Sequence, residues 1–269
     1  MVEFRNIPGR ATHIVRLSRA RRLMLDVVRE AARRPTIHGL LEADITDSRF
    51  RMLMTDARPT MTSLVVATLG RALRQCPEVN VRRAGRHTVF YEPVDVLVTV
   101  ERRLDGERIL IPFVVEDADQ KTLDEISTEI KAARVSSFEA TAIGGRSLPA
   151  ALPAPMRRVA ATILGRSPRL ASRLGPPIGV ASVGMFGVGW GIPVSSLTLL
   201  VTIGGMTAKP VLAEERCFVN HEFLPLTLTF DHTSIDGATA GRFAEVLCGL
   251  LENGAVIDEQ ELDGDLVQS

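Results

Sequence analysis

The 269-residue sequence predicts an α/β protein. Two patterns predict it: apolar residues alternate with period two in several short segments, and recur at helical spacing in the segments between them. A hydrophobic content of 45% supplies enough apolar mass for one large core or two small ones.

The elements follow in chain order. Residues 18–34 read as a helix: Ser18 is placed to cap it, Leu23, Val27 and Val28 keep helical spacing, and Pro35 stops it. Leu41, Ala43 and Ile45 alternate with Glu42, Asp44 and Thr46, which predicts a half-buried strand. A second helix is predicted from Thr62 to Gln75, ended by Pro77. Val94, Val96, Val98 and Val100 alternate along a strand, Asp105-Gly106 supplies a tight turn, and residues 109–115 return as the hairpin partner. Thr122 and Glu125 form a capping-box pattern for a helix reaching Arg134. Strands are expected near 178–183, 197–203 and 224–230, and Asp236 opens a last helix that runs to Glu252. Residues 253–269 are acidic, contain glycine and read as a flexible tail.

Two stretches differ from this rhythm. Residues 139–177 hold six prolines and, after Glu139, six arginines without an acid. They read as an insertion, either solvated and packed on the surface or offering a docking face to an acidic partner or phosphate. From Leu174 to Ala208 no residue is charged, which is long enough to span a membrane. Pro176, Pro177, Pro193 and several glycines would break such a helix more than once, so two buried strands joined by a glycine-rich loop are expected.

Composition narrows the function. The 32 basic and 32 acidic residues balance, which gives no global pull toward nucleic acid or membrane. Cys76, Cys217 and Cys248 form no CxxC pair, so each is expected to be a small core residue, with no zinc site. Reduced cysteines and an N-terminus without an apolar run suit the cytoplasm.

The chemistry is concentrated near the C-terminus. The strand 224–230 ends in Asp231-His232, and Asp236-Gly237 follows four residues later at the mouth of an apolar helix. A histidine on a turn leaving a sheet is held rigidly beside a cleft. The aspartate caps backbone N–H groups at the helix start, and Gly237 permits close approach. By spacing alone, a lone histidine is more often structural than catalytic.

The order strand, Asp231-His232-Thr233-Ser234-Ile235-Asp236-Gly237-Ala238, then Phe243, Leu247, Leu250, Leu251 and Glu252, resembles the catalytic domain of the dihydrolipoamide acyltransferases. Those are the core subunits of 2-oxo acid dehydrogenase complexes, and chloramphenicol acetyltransferase shares their fold and HxxxDG motif. Gly184-Met185-Phe186-Gly187 is similar to the family's GMFG segment. Arg21-Arg22-Leu23-Met24, Pro35 and Asp44-Ile45-Thr46 are similar to its first helix and strand. The resemblance spans residues 18–252, with 139–177 inserted. It implies a two-layer α/β sandwich with a mixed sheet flanked by helices.

It also implies acyl transfer between coenzyme A and a thiol of dihydrolipoyl type or another small acceptor, without a metal. His232 would then be the general base, a role suited to a side chain that titrates near neutrality. Asp236 would order the site and pair with Arg21 or Arg22. Ser182 would donate to the oxyanion, with Thr202 and Ser195 as lesser alternatives. Gly237 would support the turn. Thr233 stands where the family has arginine, and the spacing from Ser182 to Gly184 is one residue short of the family pattern. His13, His38, His87 and His221 match no motif.

No lipoyl domain fits before Ser18, so a lipoyl group would be supplied in trans, if at all. The resemblance implies a homotrimer with its active site between subunits. The alternative expectation is a non-catalytic scaffold that kept the fold. A membrane-associated protein using residues 174–208 is the remaining reading.

Overall fold

The computed structural model describes residues 5–6, 13–14, 21, 25, 28–55, 58–104, 107–135, 156, 163, 166–171, 175–213 and 217–257. Among these, seven strands form one mixed sheet. They are β1 (Thr36–Asp44), the hairpin of β4 (Val96–Leu104) and β5 (Glu107–Val115), β6 (Ile178–Ser182), β7 (Leu199–Ile203), β8 (Thr207–Leu212) and β9 (Phe218–Asp231). A separate hairpin pairs β2 (Val81–Ala84) with β3 (His87–Phe90). β6 runs parallel to both β4 and β7, and the remaining pairings of the large sheet are antiparallel.

β9 is the organising strand. β1 pairs with it from Phe223 to Asp231 on one side. On the other side β8 covers Phe218 to Phe223, and β7 covers Leu226 to Phe230. Its period of two is strict: Leu224, Leu226, Leu228 and Phe230 are all fully buried on one face. Val96, Val98, Val100, Ile178, Val180, Leu199, Val201 and Ile203 continue that face across the sheet. The helices α2 (Met61–Gln75), α3 (Leu123–Val135) and α4 (Gly237–Glu252) cover it and close the core. Phe230 and Phe243 meet edge to face there, with ring centroids 6.1 Å apart.

Several boundaries differ from expectation for visible reasons. The first helix is helical at Arg21, Leu25 and residues 28–31, but gives way to a turn at residues 32–34, because Pro35 disfavours helical geometry in the residue before it. β1 begins at Thr36 and ends at Asp44, where the Asp44 carboxylate accepts from the N–H and hydroxyl of Thr46 and starts α1 (Thr46–Met54). That helix was not expected: Phe50, Leu53 and Met54 point outward, so its apolar residues do not mark a core face. α2 starts one residue earlier than expected, behind a reciprocal capping box between Thr60 and Ser63. The predicted box at α3 is present, with Thr122 N–H donating to Glu125 and Glu125 N–H to Thr122.

The uncharged segment contains β6 and β7 joined by a glycine-rich loop, and no helix among the described residues is long and apolar enough to cross a membrane. The Asp105-Gly106 turn, and most of residues 139–177, lie outside the described residues. The packed chain runs past Glu252: Val256 and Ile257 are buried in the same core. Of the cysteines, Cys76 is buried and Cys248 half-buried, whereas Cys217 is exposed and fills no core position. Burial pushes the Cys248 thiol up to about 11.

Candidate active site

β9 delivers its last residue, Asp231, and then His232 to a tight turn at the edge of the core. The Asp231 N–H donates to the Thr198 carbonyl and the His232 N–H to the Pro35 carbonyl, each at 2.9 Å. The turn closes when the N–H groups of Ser234 and Ile235 both donate to the Asp231 carbonyl. Ile235 is buried beneath it and anchors it to the core.

The imidazole sits above this turn, exposed in the single chain. Its Nδ1 lies 2.9 Å from the Ile235 carbonyl oxygen. A carbonyl oxygen only accepts, so Nδ1 carries the proton. In the neutral ring Nε2 therefore keeps its lone pair, which is the tautomer a general base needs.

Asp236 is the N-cap of α4, and its carboxylate accepts from the Thr239 N–H at 2.7 Å. That backbone bond holds the carboxyl below its ordinary pKa. Asp236 is exposed, and Arg242 on its own helix adds a favourable charge to it. The expected partner of Asp236 is Arg21 or Arg22; at this turn an ion pair joins Arg34 to the buried Asp231 at 2.9 Å. Arg21 lies on an exposed helical position, and Arg22 lies outside the described residues. Gly237 opens α4, with open space where a side chain would stand.

Ser182 is not beside His232. It is half-buried at the end of β6, in register with Ile203, which is in register with Leu226 of β9. Leu226 precedes His232 by six residues, which at strand rise puts Ser182 and His232 about 20 Å apart along the sheet. Of the two lesser hydroxyl candidates, Ser195 is buried and accepts from the Leu197 N–H. Thr202 is buried beside Thr227, its cross-strand partner. Thr202 therefore stands level with Thr227, five residues before His232 along β9. The GMFG segment follows Ser182 as a single 3-10 turn, and Gly187 leaves it at φ 73°, a left-handed value suited to glycine.

Two residues near His232 were not singled out from the sequence, Asp231 and Arg34. Asp231 was visible as the residue before the motif histidine. It falls on the face of β9 opposite the core, where a buried carboxylate requires a partner. Arg82 is a further buried cation nearby. Its Nη2 donates to the carbonyls of Gly175 and Pro176, and burial lowers its guanidinium pKa. His38 bonds Thr36 and Thr229, and His221 bonds Asp44, so both serve the sheet.

The family model described as 2-oxoacid dehydrogenases acyltransferase (catalytic domain) matches residues 10–139 and 157–257. The chain belongs to this acyltransferase family. The unmatched stretch between the two segments falls inside the arginine-rich insertion. The dihydrolipoyllysine-residue acetyltransferase component of the pyruvate dehydrogenase complex of Bacillus subtilis is 26% identical over 219 residues. That alignment covers 77% of this chain and 42% of the relative, so the chain spans less than half the length of the curated relative it matches. Solved acyltransferases share the fold. A probable dihydrolipoamide acetyltransferase from Listeria monocytogenes superposes with a TM-score of 0.69 at 18% identity, covering 90% of this chain and 95% of that one. A truncated catalytic core of the Thermoplasma acidophilum 2-oxoacid dehydrogenase complex gives 0.67 at 21%, covering 90% and 99%.

Proposed function

We propose that this acyltransferase-family chain moves an acyl group between coenzyme A and a thiol of dihydrolipoyl type or another small acceptor, with His232 as general base. One observation carries the reading: Nδ1 donates to the Ile235 carbonyl, so in the neutral ring the lone pair is on Nε2, and the residue is exposed. Nε2 takes the proton of the acceptor thiol, and the thiolate attacks the thioester carbonyl of the acyl donor. The tetrahedral oxyanion then collapses, expels the coenzyme A thiolate, and the imidazolium returns its proton to that sulfur.

The Ser182 hydroxyl is the proposed oxyanion donor, and its distance from His232 bears on how it acts. One chain does not bring the two together, so the serine that faces a given His232 belongs to a neighbouring copy. That favours the expected homotrimer with a site between subunits. The exposed apolar run Met185, Phe186, Val188, Trp190, Ile192 and Val194, just beyond Ser182, supports burial of this face by such a neighbour. A lipoyl-bearing protein acting in trans, in the cytoplasm, completes the proposed setting. The acetyl group and the dihydrolipoyl acceptor named for the Bacillus relative are the first pair to assay.

The test is His232→Ala in an assay of acyl-coenzyme A donors against dihydrolipoamide. Activity is expected to fall about a hundred- to ten-thousand-fold with the melting temperature unchanged, because among the described residues the ring's hydrogen bond is to its own turn. Wild-type activity in the variant contradicts the assignment.

A further inference from the structure

We propose that Asp231, gripped by Arg34 and closed by Thr233, is a positioning residue that sets the tautomer of His232. The inference rests on reading His232 as the base. It concerns how the ring is held, which is a property of this chain's own turn.

The carboxylate of Asp231 is almost wholly withdrawn from solvent, with a side-chain exposure of 2%. Its oxygens are all used. Oδ1 accepts from the Thr233 N–H at 3.0 Å and from the Thr233 hydroxyl at 2.7 Å, and Oδ2 accepts from Arg34 Nη1 at 2.9 Å. The carbonyl of the same residue accepts from Ser234 and Ile235. Asp231 therefore staples its turn from both the side chain and the backbone. The last residue of that staple, Ile235, supplies the carbonyl that holds His232 Nδ1. On the other side Arg34 adjoins Pro35, whose carbonyl takes the His232 N–H. Each hydrogen bond that fixes the histidine thus leads back to Asp231 or to the Arg34-Pro35 segment.

Asp231 does not touch the ring, so it acts through the turn and not as the partner of a catalytic dyad. Stability is a poor reason for the arrangement. A buried ion pair is often replaceable by apolar side chains without loss, because desolvation offsets the attraction. Geometry is the better reason: a charged pair with directed donors fixes one backbone conformation, where apolar packing tolerates several. It also gives Thr233 a task. The family's arginine at this position is absent, and the threonine supplies two of the three bonds to the carboxylate.

The test reads the ring directly. In protein labelled with nitrogen-15 at histidine, two-bond proton–nitrogen spectra report which ring nitrogen of His232 is protonated. His232→Ala identifies the signal. Wild type is expected to show a single tautomer with the proton on Nδ1. Asp231→Asn keeps the shape but turns a donor toward Arg34. It is expected to give mixed tautomers and to lower kcat roughly ten- to a hundred-fold, less than loss of the base. KM for the acyl donor should stay within about two-fold, since the ring's placement and not substrate binding has changed. Arg34→Lys, which retains the charge, is expected to fall between wild type and Arg34→Gln. If Asp231→Asn does not fold, the two Arg34 variants carry the same readout. A folded Asp231→Asn or Arg34→Gln chain that keeps the wild-type tautomer overturns the proposal. A chain without acyl transfer whose tautomer still depends on Asp231 contradicts the proposed activity and leaves the positioning role standing.

Discussion

A histidine serves as a base when one ring nitrogen is committed and the other available, and the turn from His232 to Ile235 commits Nδ1 of His232, the proposed base. The motif histidine was legible because its residues lie together in the chain. The ion pair that supports it was not, because Arg34 and Asp231 are 197 residues apart and meet only when β1 and β9 pair. Asp236 was legible as a cap for the opposite reason, since the Thr239 N–H that its carboxylate accepts lies three residues on, at the start of α4. Asparagine caps a helix about as well as aspartate, so Asp236→Asn is expected to leave the melting temperature nearly unchanged, whereas Asp236→Ala lowers it. The difference carries a pH signature. The folded-state pKa of Asp236 is depressed by the Thr239 N–H, so its stabilisation is complete above the ordinary aspartate range, about pH 4. It is lost as pH falls through the folded pKa. The gap between wild type and Asp236→Ala, followed by thermal melts, should narrow as the pH drops below that range.

At the scale of elements, legibility follows burial. The valines of β4, the leucines of β9 and the apolar stripe of α4 face one core, so their periods of two and 3.6 show in the sequence. α1, β8 and the outer half of β9 carry exposed apolar residues such as Phe50, Leu212 and Phe218, and their pattern points to no core. The β2–β3 hairpin was missed for the same reason: its second strand exposes His87, Thr88 and Phe90. The glycines near Ser182 show what the sequence did give in compressed form. A Cβ on Gly204 would strike the Gly189 carbonyl, and one on Gly184 would strike Gly204 itself. These contacts bring the GMFG turn against the end of β7 and fix where Ser182 stands. Gly204→Ala is expected to destabilise the chain by about 1–3 kcal/mol, the usual cost of overpacking. It should also reduce activity beyond what the loss of folded protein explains. Urea denaturation, with activity normalised to folded protein, checks both. A neutral substitution would show that the loop yields around the added methyl.

At the scale of the molecule, the two halves of the proposed site lie at opposite ends of one sheet. That argues for assembly more strongly than any single exposed residue does. The large complexes named among the relatives raise the question of a cage. If the proposed trimer forms, residues 253–265 give little to join one trimer to the next: Val256 and Ile257 are buried in their own chain's core, and beyond them come Asp258, Glu259, Glu261, Asp263 and Asp265. Burying such carboxylates without partners is costly. A free trimer is therefore expected, with a mass by light scattering of about 88 kDa, three times the 29.3 kDa chain. A megadalton species would contradict the argument from the C-terminal segment.

The measurement that bears most directly on the whole account is complementation between two disabled chains. His232→Ala and Ser182→Ala are each assayed alone for acyl transfer, then mixed, dissociated in mild denaturant and allowed to reassemble. If the base of one copy works against the hydroxyl of another, each variant alone is severely impaired, and the reassembled mixture regains activity because some interfaces combine an intact His232 with an intact Ser182. A reassembled mixture no more active than the variants on their own would contradict a site shared between chains with His232 as its base.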